Sequence, residues 1–202
     1  MRIRAAMPAH EKRPQLLMVW PTGGDVRVEM PSAPVGHVIR TYRPGDEESF
    51  LGLMAEGGFD PWDEAKLQFN MGKVIPEGWF FAVEEHTGAI CGTAMCLHNY
   101  KDTTPFTGEL GWLACAADHR GRGLGACLTA HVTARFLAAG YSLIQLRTEY
   151  YRPAAIRIYL KAGYVPHIEA EEVHALWRDV CGQIEWKFTP ERWSALVEAR
   201  HG

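Results

Sequence analysis

The chain has 202 residues, of which 47% are hydrophobic and 22% charged, and its formal net charge at pH 7 is −3. Such a composition is typical of one folded domain of ordinary size and argues against a disordered chain. The slight negative charge provides no basic surface for nucleic acid, and no apolar run is long enough to cross a membrane. We therefore expect neither nucleic acid nor a membrane as a partner.

Residues 1–36 differ in pattern from the rest and are predicted to form an N-terminal arm or extra hairpin. Two strand-like runs, LLMVW and VRVEM, flank the turn PTGG, and PSAPVG then reads as a linker. Residues 37–202 form the predicted main domain, which ends in a C-terminal helical extension.

The first half of the main domain is predicted to contain four strands and two helices. Asp46 is expected to cap a helix over EESFLGLMAE, and Asp60 with Pro61 is expected to begin a second helix over DPWDEAKLQFNMG. The predicted strands are HVIRTYRP before these helices and GWFFAVEE, AICGTAMCLH and GELGWLACAA after them.

The second half is dominated by one strongly periodic helix. Leu124, Leu128, Val132 and Phe136 recur at a spacing of four residues and predict a helix that Gly140 ends. The elements predicted after it are the strand YSLIQLRTE, the short helix PAAIRIYLKAG, the strand YVPHI and the helices EEVHALWRDVCGQI and PERWSALVEAR.

The five cysteines indicate a reducing compartment. An odd number without CxxC spacing predicts free thiols in the cytoplasm rather than a disulfide framework. Cys91 and Cys96 have no facing pair of His or Cys in the sequence, so no zinc site is expected. The amino-terminal segment lacks the apolar stretch of a secretory signal peptide, which agrees with a cytoplasmic location.

Three alternate glycines, Gly121, Gly123 and Gly125, precede the periodic helix, with Arg120 and Arg122 among them. A helix start offers unpaired N–H groups and partial positive charge, glycines let a ligand approach them, and arginines suit phosphate oxygens. The spacing fits neither the P-loop, GxxxxGK[ST], nor the dinucleotide fingerprint GxGxxG. The loop is therefore interpreted as a pyrophosphate cradle, with a ligand-free glycine turn as the alternative.

The stretch ELGWLACAADHRGRGLGACL resembles the acetyl-CoA motif of the GCN5-related N-acetyltransferases (GNAT), Gln/Arg-x-x-Gly-x-Gly/Ala, at Arg120, Gly123 and Gly125. AAIRIYLKAGY resembles the family's second segment, A-I-x-L-Y-x-x-x-G-F. The resemblance covers about residues 37–168. It implies an α/β (α+β) fold of the GNAT type, whose mixed sheet is flanked by helices and splayed between its fourth and fifth strands, GELGWLACAA and YSLIQLRTE.

The resemblance also implies a binding site for acetyl-CoA, a co-substrate, with no metal. Backbone around Leu113, Ala114 and Cys115 would bond the pantetheine arm. Arg152 stands where the family tends to have an asparagine; it could reach a phosphate or an acidic acceptor, or be only a surface arginine. The backbone amides implied for the pyrophosphate are those of Arg120, Gly121, Arg122, Gly123, Leu124, Gly125 and Ala126.

Two side chains are candidates for acid–base catalysis. Tyr159 occupies the tyrosine of the second segment and is implied as the general acid for the departing thiolate, although a packing aromatic would fit the same helix face. Glu109 is the candidate base, eleven residues before Arg120; barring a bulge, strand alternation places it on one face with Gly111 and Leu113. A solvated strand-end glutamate is the alternative.

Another departure from the family pattern concerns the base, and the resemblance also implies an acceptor wall built largely from the first two helices. Arg147 stands where some relatives carry a glutamate base, and Glu149 is a weaker alternative to Glu109. Acids in the acceptor wall would suit a cationic amine, although helix caps and first-turn acids explain them equally. The residues expected in that wall are Phe59, Asp60, Trp62, Asp63 and Glu64.

The function predicted from this resemblance is transfer of an acetyl group from acetyl-CoA to a primary amine of a small molecule or peptide. The amine would attack directly in a ternary complex. A non-catalytic acyl-CoA-binding regulatory domain is the main alternative, and another acyl donor is a third interpretation. Edge strands of this fold often pair between subunits, which allows a homodimer.

Overall fold

A computed structural model of the chain describes residues 15–21, 28–59, 61–101 and 106–198. From residue 37 onward, strands and helices follow the predicted order. No helix within the described ranges is long and apolar enough to span a bilayer. The elements are β1 (Gln15–Trp20), β2 (His37–Thr41), α1 (Glu47–Glu56), α2 (Glu64–Lys73), β3 (Val74–Glu84), β4 (Ile90–His98), β5 (Thr107–Cys115), a 3-10 helix (Ala117–His119), α3 (Leu124–Ala138), β6 (Leu143–Glu149), α4 (Pro153–Lys161), β7 (Val165–Pro166), α5 (Glu171–Gln183) and α6 (Pro190–Glu198).

A seven-stranded mixed sheet in the order β2-β3-β4-β5-β6-β1-β7 connects these elements. The pairs β2 with β3, β3 with β4 and β4 with β5 are antiparallel, whereas β5 and β6 are parallel. The ladder between β5 and β6 runs only from Thr107↔Leu143 to Leu110↔Leu146, after which the two strands cease to pair. The predicted mixed fold, splayed between these two strands and flanked by helices, is therefore confirmed.

The first described strand, β1, lies inside this sheet. It pairs antiparallel with β6 from Gln15↔Glu149 to Trp20↔Ile144, and its second half also pairs with β7. Residues 22–27, which include the predicted turn, lie outside the described residues, and residues 28–36 form no strand. The domain boundary after residue 36 stays a prediction, but β1 belongs to the same sheet as the main domain.

Two apolar clusters lie on opposite faces of the sheet. Alternate residues of β3 show the division, because Phe80 belongs to the larger cluster and its neighbour Phe81 to the smaller one. Helices α3 to α6 cover the larger cluster, and α1 and α2 cover the smaller one. The residues predicted to form the apolar face of α3 are all at most 1% exposed: Leu124, Leu128, Val132 and Phe136.

Helix α1 spans the predicted residues with Asp46 at its cap position, whereas α2 begins later than predicted. Helix α2 begins at Glu64, because the carboxylate of Asp63 accepts a hydrogen bond from the amide of Lys66 at 2.7 Å. The predicted cap, Asp60, lies outside the described residues.

Asp46 does not cap α1 with its side chain. Its carboxylate instead accepts two hydrogen bonds from the guanidinium of Arg40, at 2.6 and 2.8 Å, and a third from the amide of Arg43. The bonds to Arg40 hold the pKa of Asp46 below its usual value. This bidentate ion pair connects β2 to the start of α1 and so fixes the position of one wall of the site described below.

Candidate active site

A cleft of about 1210 Å³ opens where β5 and β6 separate. Its walls are the end of β5, the loop before α3, helix α4, the segment after α1, and residues 28–31. Arg122 is the one predicted cofactor residue outside this lining, and its guanidinium donates a hydrogen bond to the carbonyl of Asp118 at 3.0 Å. The predicted residues that line the cleft are Leu113, Ala114, Cys115, Arg120, Gly121, Gly123, Leu124, Gly125, Ala126 and Arg152.

A β-bulge near Trp112 reorients the end of β5. Trp112 has a φ of +55°, in the left-handed region, and the ladder with β4 shifts between the pairs Thr93↔Ala114 and Met95↔Gly111. The face that Glu109 shares with Gly111 therefore continues to Ala114. The expectation that this face reaches Leu113 is wrong; Leu113 packs against the larger cluster instead.

Beyond Leu110, no strand among the described residues pairs with one edge of β5, and this edge borders the cleft. The other edge remains paired with β4 as far as Cys115. The carbonyl of Cys115 accepts a hydrogen bond from Nε of Arg120 at 3.0 Å, which fastens the following loop to the strand end. An extended polar chain lying along this edge would meet backbone donors and acceptors in strand geometry.

The loop before α3 presents a row of unpartnered amides. Among the described residues, none accepts a hydrogen bond from the backbone N–H groups of residues 121–125. Gly123 precedes the first residue of α3 with a φ of +93°, a conformation that L side chains rarely adopt. Gly125 serves packing instead, because a Cβ there would lie 2.8 Å from Cδ1 of Ile158 on α4.

A second cavity, of about 300 Å³, adjoins the cleft, and Gly58, Phe59 and Arg152 line both spaces. Glu109 and Arg147 contribute charged groups to its lining. A molecule in the smaller cavity would therefore lie next to one in the cleft, with the separated strand ends between them.

Glu109 is buried, with 5% of its surface exposed, and lies in the smaller cavity rather than the cleft. Its Oε2 accepts hydrogen bonds from the guanidinium of Arg147 and from the amide of Gln145, the latter at 3.1 Å. Burial raises the pKa of Glu109, while the charge of Arg147 opposes that rise. In the sequence, Arg147 stands out only as a departure from a glutamate position. Its ion pair with Glu109 depends on the pairing of β5 with β6, which the local sequence does not reveal.

Tyr159 is buried in the larger cluster and does not itself line the cleft, although the preceding residue, Ile158, does. No described residue forms a hydrogen bond with its hydroxyl group. Burial raises the pKa of Tyr159 well above its usual value, and the groups that also act on it electrostatically are Arg152, Glu149 and Cys115. Arg152 and Cys115 line the cleft, and Glu149 lies at the end of β6.

Arg152 forms part of the wall between the two cavities. Its Nε lies 2.8 Å from a carboxylate oxygen of Glu149, and one terminal nitrogen donates to the carbonyl of Gly57 at 3.2 Å. The guanidinium carbon is 4.4 Å from the ring centre of Phe59. Arg152 thus connects β6 and α4 to the segment after α1.

The predicted acceptor wall is only partly present. Phe59 and Trp62 form edge contacts with Trp112, with ring centres 5.7 and 4.6 Å away. Asp63, however, is the cap of α2, and Glu64 accepts a hydrogen bond from Gln68 at 2.8 Å.

Trp112, which the sequence analysis did not select, is central to this wall. Its indole nitrogen donates to the side chain of Asn70 at 2.6 Å, and its ring lines the smaller cavity. A non-glycine residue with positive φ carries no signal in a single sequence, so regular strand alternation could not have identified it.

Comparisons with known proteins give a consistent result. A family profile described as the acetyltransferase (GNAT) family matches residues 47–164. The chain is 31% identical over 151 residues to a mycothiol acetyltransferase from Tsukamurella paurometabola, covering 68% of this chain and 51% of that protein. A mycothiol acetyltransferase from Sanguibacter keddieii is 28% identical over 144 residues, or 66% and 46% of the two chains.

Among solved structures, a GCN5-related N-acetyltransferase from Sphaerobacter thermophilus superposes with a TM-score of 0.63 at 26% identity. The superposition covers 77% of this chain and 49% of that chain. The chain thus spans about half the length of each of these three relatives.

Proposed function

The chain belongs to the acetyltransferase (GNAT) family, and on that premise we propose that it transfers an acetyl group from acetyl-CoA to a primary amine of a small molecule or peptide. The observation that carries this proposal is the row of unpartnered amides at residues 121–125, at the edge of the cleft. Such donors at a helix start bind phosphate groups. The cleft also exceeds the cavities of about 300–1,000 Å³ that hold drug-sized ligands.

The donor would occupy the cleft in a defined direction. The amides of residues 121–125 would bind the pyrophosphate, and the unpaired edge of β5 at Leu113, Ala114 and Cys115 would bond the pantetheine arm. This order brings the thioester to the strand opening, between Tyr159 and the smaller cavity. Acetyl-CoA, when bound, supplies the activated acetyl group.

The acceptor amine would enter from the smaller cavity. Glu109 would take a proton from the attacking amine, directly or through water, while Arg147 stabilises the ionised carboxylate. Tyr159 would donate its proton to the sulfur as the C–S bond breaks and the N–C bond forms, because its raised pKa keeps it protonated. The proton on Glu109 then returns to solvent, and Tyr159 is reprotonated.

Binding of the donor can be tested by the melting temperature of the full chain with acetyl-CoA, using NADH and ATP as controls. Acetyl-CoA at one hundred times its Kd adds about 2.7 kcal/mol to the free energy of unfolding, which corresponds to a shift of roughly 5–10 °C. A shift with acetyl-CoA alone supports the proposed donor site. An unchanged melting temperature would contradict it.

Turnover is then measured by mass spectrometry as acetylation of a panel of amines. Since two relatives are named mycothiol acetyltransferases, the unacetylated amine of mycothiol is the first acceptor to test. We place the reaction in the cytoplasm, which the free thiols of all five cysteines support.

A second candidate function is acyl-CoA binding without turnover, as in a regulatory domain. Two observations favour it: Glu109 is already engaged by Arg147, and Tyr159 lies behind the cleft lining. Donor binding without acetylation of any amine in the panel would support this second candidate.

A further inference from the structure

Three metal-ligating side chains from separate parts of the chain meet beside the loop before α3. His37 begins β2, Cys91 lies in β4, and His119 ends the 3-10 helix. One ring nitrogen of each histidine and Sγ of Cys91 all lie within 4.8 Å of one another. His37 and Cys91 are 6% and 1% exposed. Their wide separation in sequence explains why no metal site was expected.

The hydrogen bonds of the two imidazoles determine which nitrogens are available. Nδ1 of His37 lies 3.1 Å from the carbonyl of Val35, and Nδ1 of His119 lies 2.8 Å from the carboxylate of Asp118. Both partners can only accept, so Nδ1 of each ring carries a proton and Nε2 is the nitrogen that remains for a ligand. Within the described residues, neither Nε2 has a hydrogen-bond partner, and both are shielded from solvent.

A bound cation would give both unpartnered imidazole nitrogens a partner. The Nε2 atoms of both histidines are buried without a hydrogen-bond partner among the described residues, and the thiol of Cys91 donates to the carbonyl of Ala82 at 3.3 Å. Unpartnered buried polar atoms are costly. Histidines that donate Nδ1–H to a carbonyl or carboxylate and offer Nε2 are typical of metal ligands.

We propose that His37, Cys91 and His119 bind one transition-metal ion, for which Zn²⁺ is the best match. Two imidazoles and a thiolate favour Zn²⁺ and Co²⁺ over the oxygen-seeking Mg²⁺ and Ca²⁺. Tetrahedral Zn²⁺ requires donor atoms about 3.3–3.6 Å apart, so the side chains must close by roughly 1 Å. A carboxylate oxygen of Glu84, 3.8 Å from Nε2 of His119, or a solvent molecule completes the coordination.

The ion would connect β2, β4 and the 3-10 helix at a functionally important point. His119 directly precedes Arg120 and the row of amides at residues 121–125, and it also lines the cleft. Metal binding would therefore fix the start of the loop before α3. The proposal itself depends on the donor atoms alone and not on acetyl transfer.

The test is a titration of the chelator-treated full chain with Co²⁺ alone. We expect a sulfur-to-cobalt charge-transfer band that saturates at one equivalent and disappears when Zn²⁺ is added. Zn²⁺ at one hundred times its Kd should raise the melting temperature by roughly 5–10 °C, and Mg²⁺ or Ca²⁺ should not. Absence of the band would overturn the proposal.

Two variants identify the ligands. Cys91→Ala should abolish the band, whereas Cys96→Ala should retain it, because Cys96 is equally buried in β4 but faces the carbonyl of Val132. A band that persists in Cys91→Ala would show that the ion binds elsewhere. If Cys91→Ala does not fold, His37→Gln serves instead and should weaken Co²⁺ binding by roughly tenfold or more; unchanged binding would equally contradict the site.

Discussion

Tyr159 and Tyr164 are neighbours in the larger cluster, with ring centres 6.2 Å apart, but their hydroxyl groups differ in environment. The hydroxyl of Tyr164 is hydrogen-bonded to Oγ1 of Thr133 at 2.8 Å, whereas no described residue contacts that of Tyr159 in this way. The first hydroxyl therefore stabilises the fold, whereas the second has no hydrogen-bond partner among the described residues.

Replacement of Tyr159 by Phe should lower kcat by roughly a hundredfold, because it removes the proton donor for the leaving thiolate. The KM for acetyl-CoA and the melting temperature should change little. The matched control Tyr164→Phe should lose about 1 kcal/mol of stability while keeping its kcat. Steady-state kinetics and thermal unfolding of both variants check this, and an unchanged kcat in Tyr159→Phe across pH would refute the acid role.

Glu109 is expected to determine the acidic limb of the pH–rate profile. A base acts only when deprotonated, so activity falls as the pH drops through its pKa, and burial raises that pKa above the usual value. Glu109→Gln should remove this limb and reduce kcat. Arg147→Met should move it to higher pH, since the buried carboxylate loses its cation. If the pH–rate profile of Glu109→Gln coincides with that of the wild type, Glu109 is not the base and only forms the ion pair with Arg147.

At the scale of elements, the proposed phosphate site depends on the junction of β5, the loop and α3. Gly123→Ala would place a side chain on a residue with a φ of +93° and should cost about 1–2 kcal/mol. It should also weaken acetyl-CoA binding, because the neighbouring amides must turn away.

Gly52→Ala, in the exposed part of α1, is the matched control for this substitution. Its added Cβ meets no heavy atom within 4 Å, so it should gain about 0.5–1 kcal/mol and leave binding unchanged. Urea unfolding and direct titration with acetyl-CoA measure both effects. Wild-type affinity in Gly123→Ala would mean that the amide row does not hold the ligand.

Several of these elements could be predicted from sequence because the signal is local. The apolar residues that recur every four positions from Leu124 define α3, and the glycines of the preceding loop mark its start. The bulge at Trp112 could not be predicted, since nothing local distinguishes an irregular strand from a regular one. The pairing of Glu109 with Arg147 and the position of β1 depend on which distant strands become neighbours, which periodicity does not encode.

At the scale of the whole molecule, β1 closes the sheet beyond β6 and its side chains enter the larger cluster. Met18 is fully buried in the larger cluster, and Met95 of β4 is fully buried in the smaller cluster. A sheet that carries both clusters on its two faces should unfold as one unit, because loss of either cluster removes support from the strands between them.

This reasoning predicts similar effects for Met18→Ala and Met95→Ala. Each should lower the free energy of unfolding by about 2–5 kcal/mol in a single transition, because each leaves a cavity at a fully buried site. Val35→Ala, at an exposed position, is the control and should stay within about 0.5 kcal/mol of the wild type. If residues 1–36 formed a separable arm, Met18→Ala would leave the main transition unchanged. Denaturant unfolding monitored by fluorescence and circular dichroism distinguishes a common sheet from a separable arm. Only a common sheet gives, for every variant, curves from the two probes that coincide.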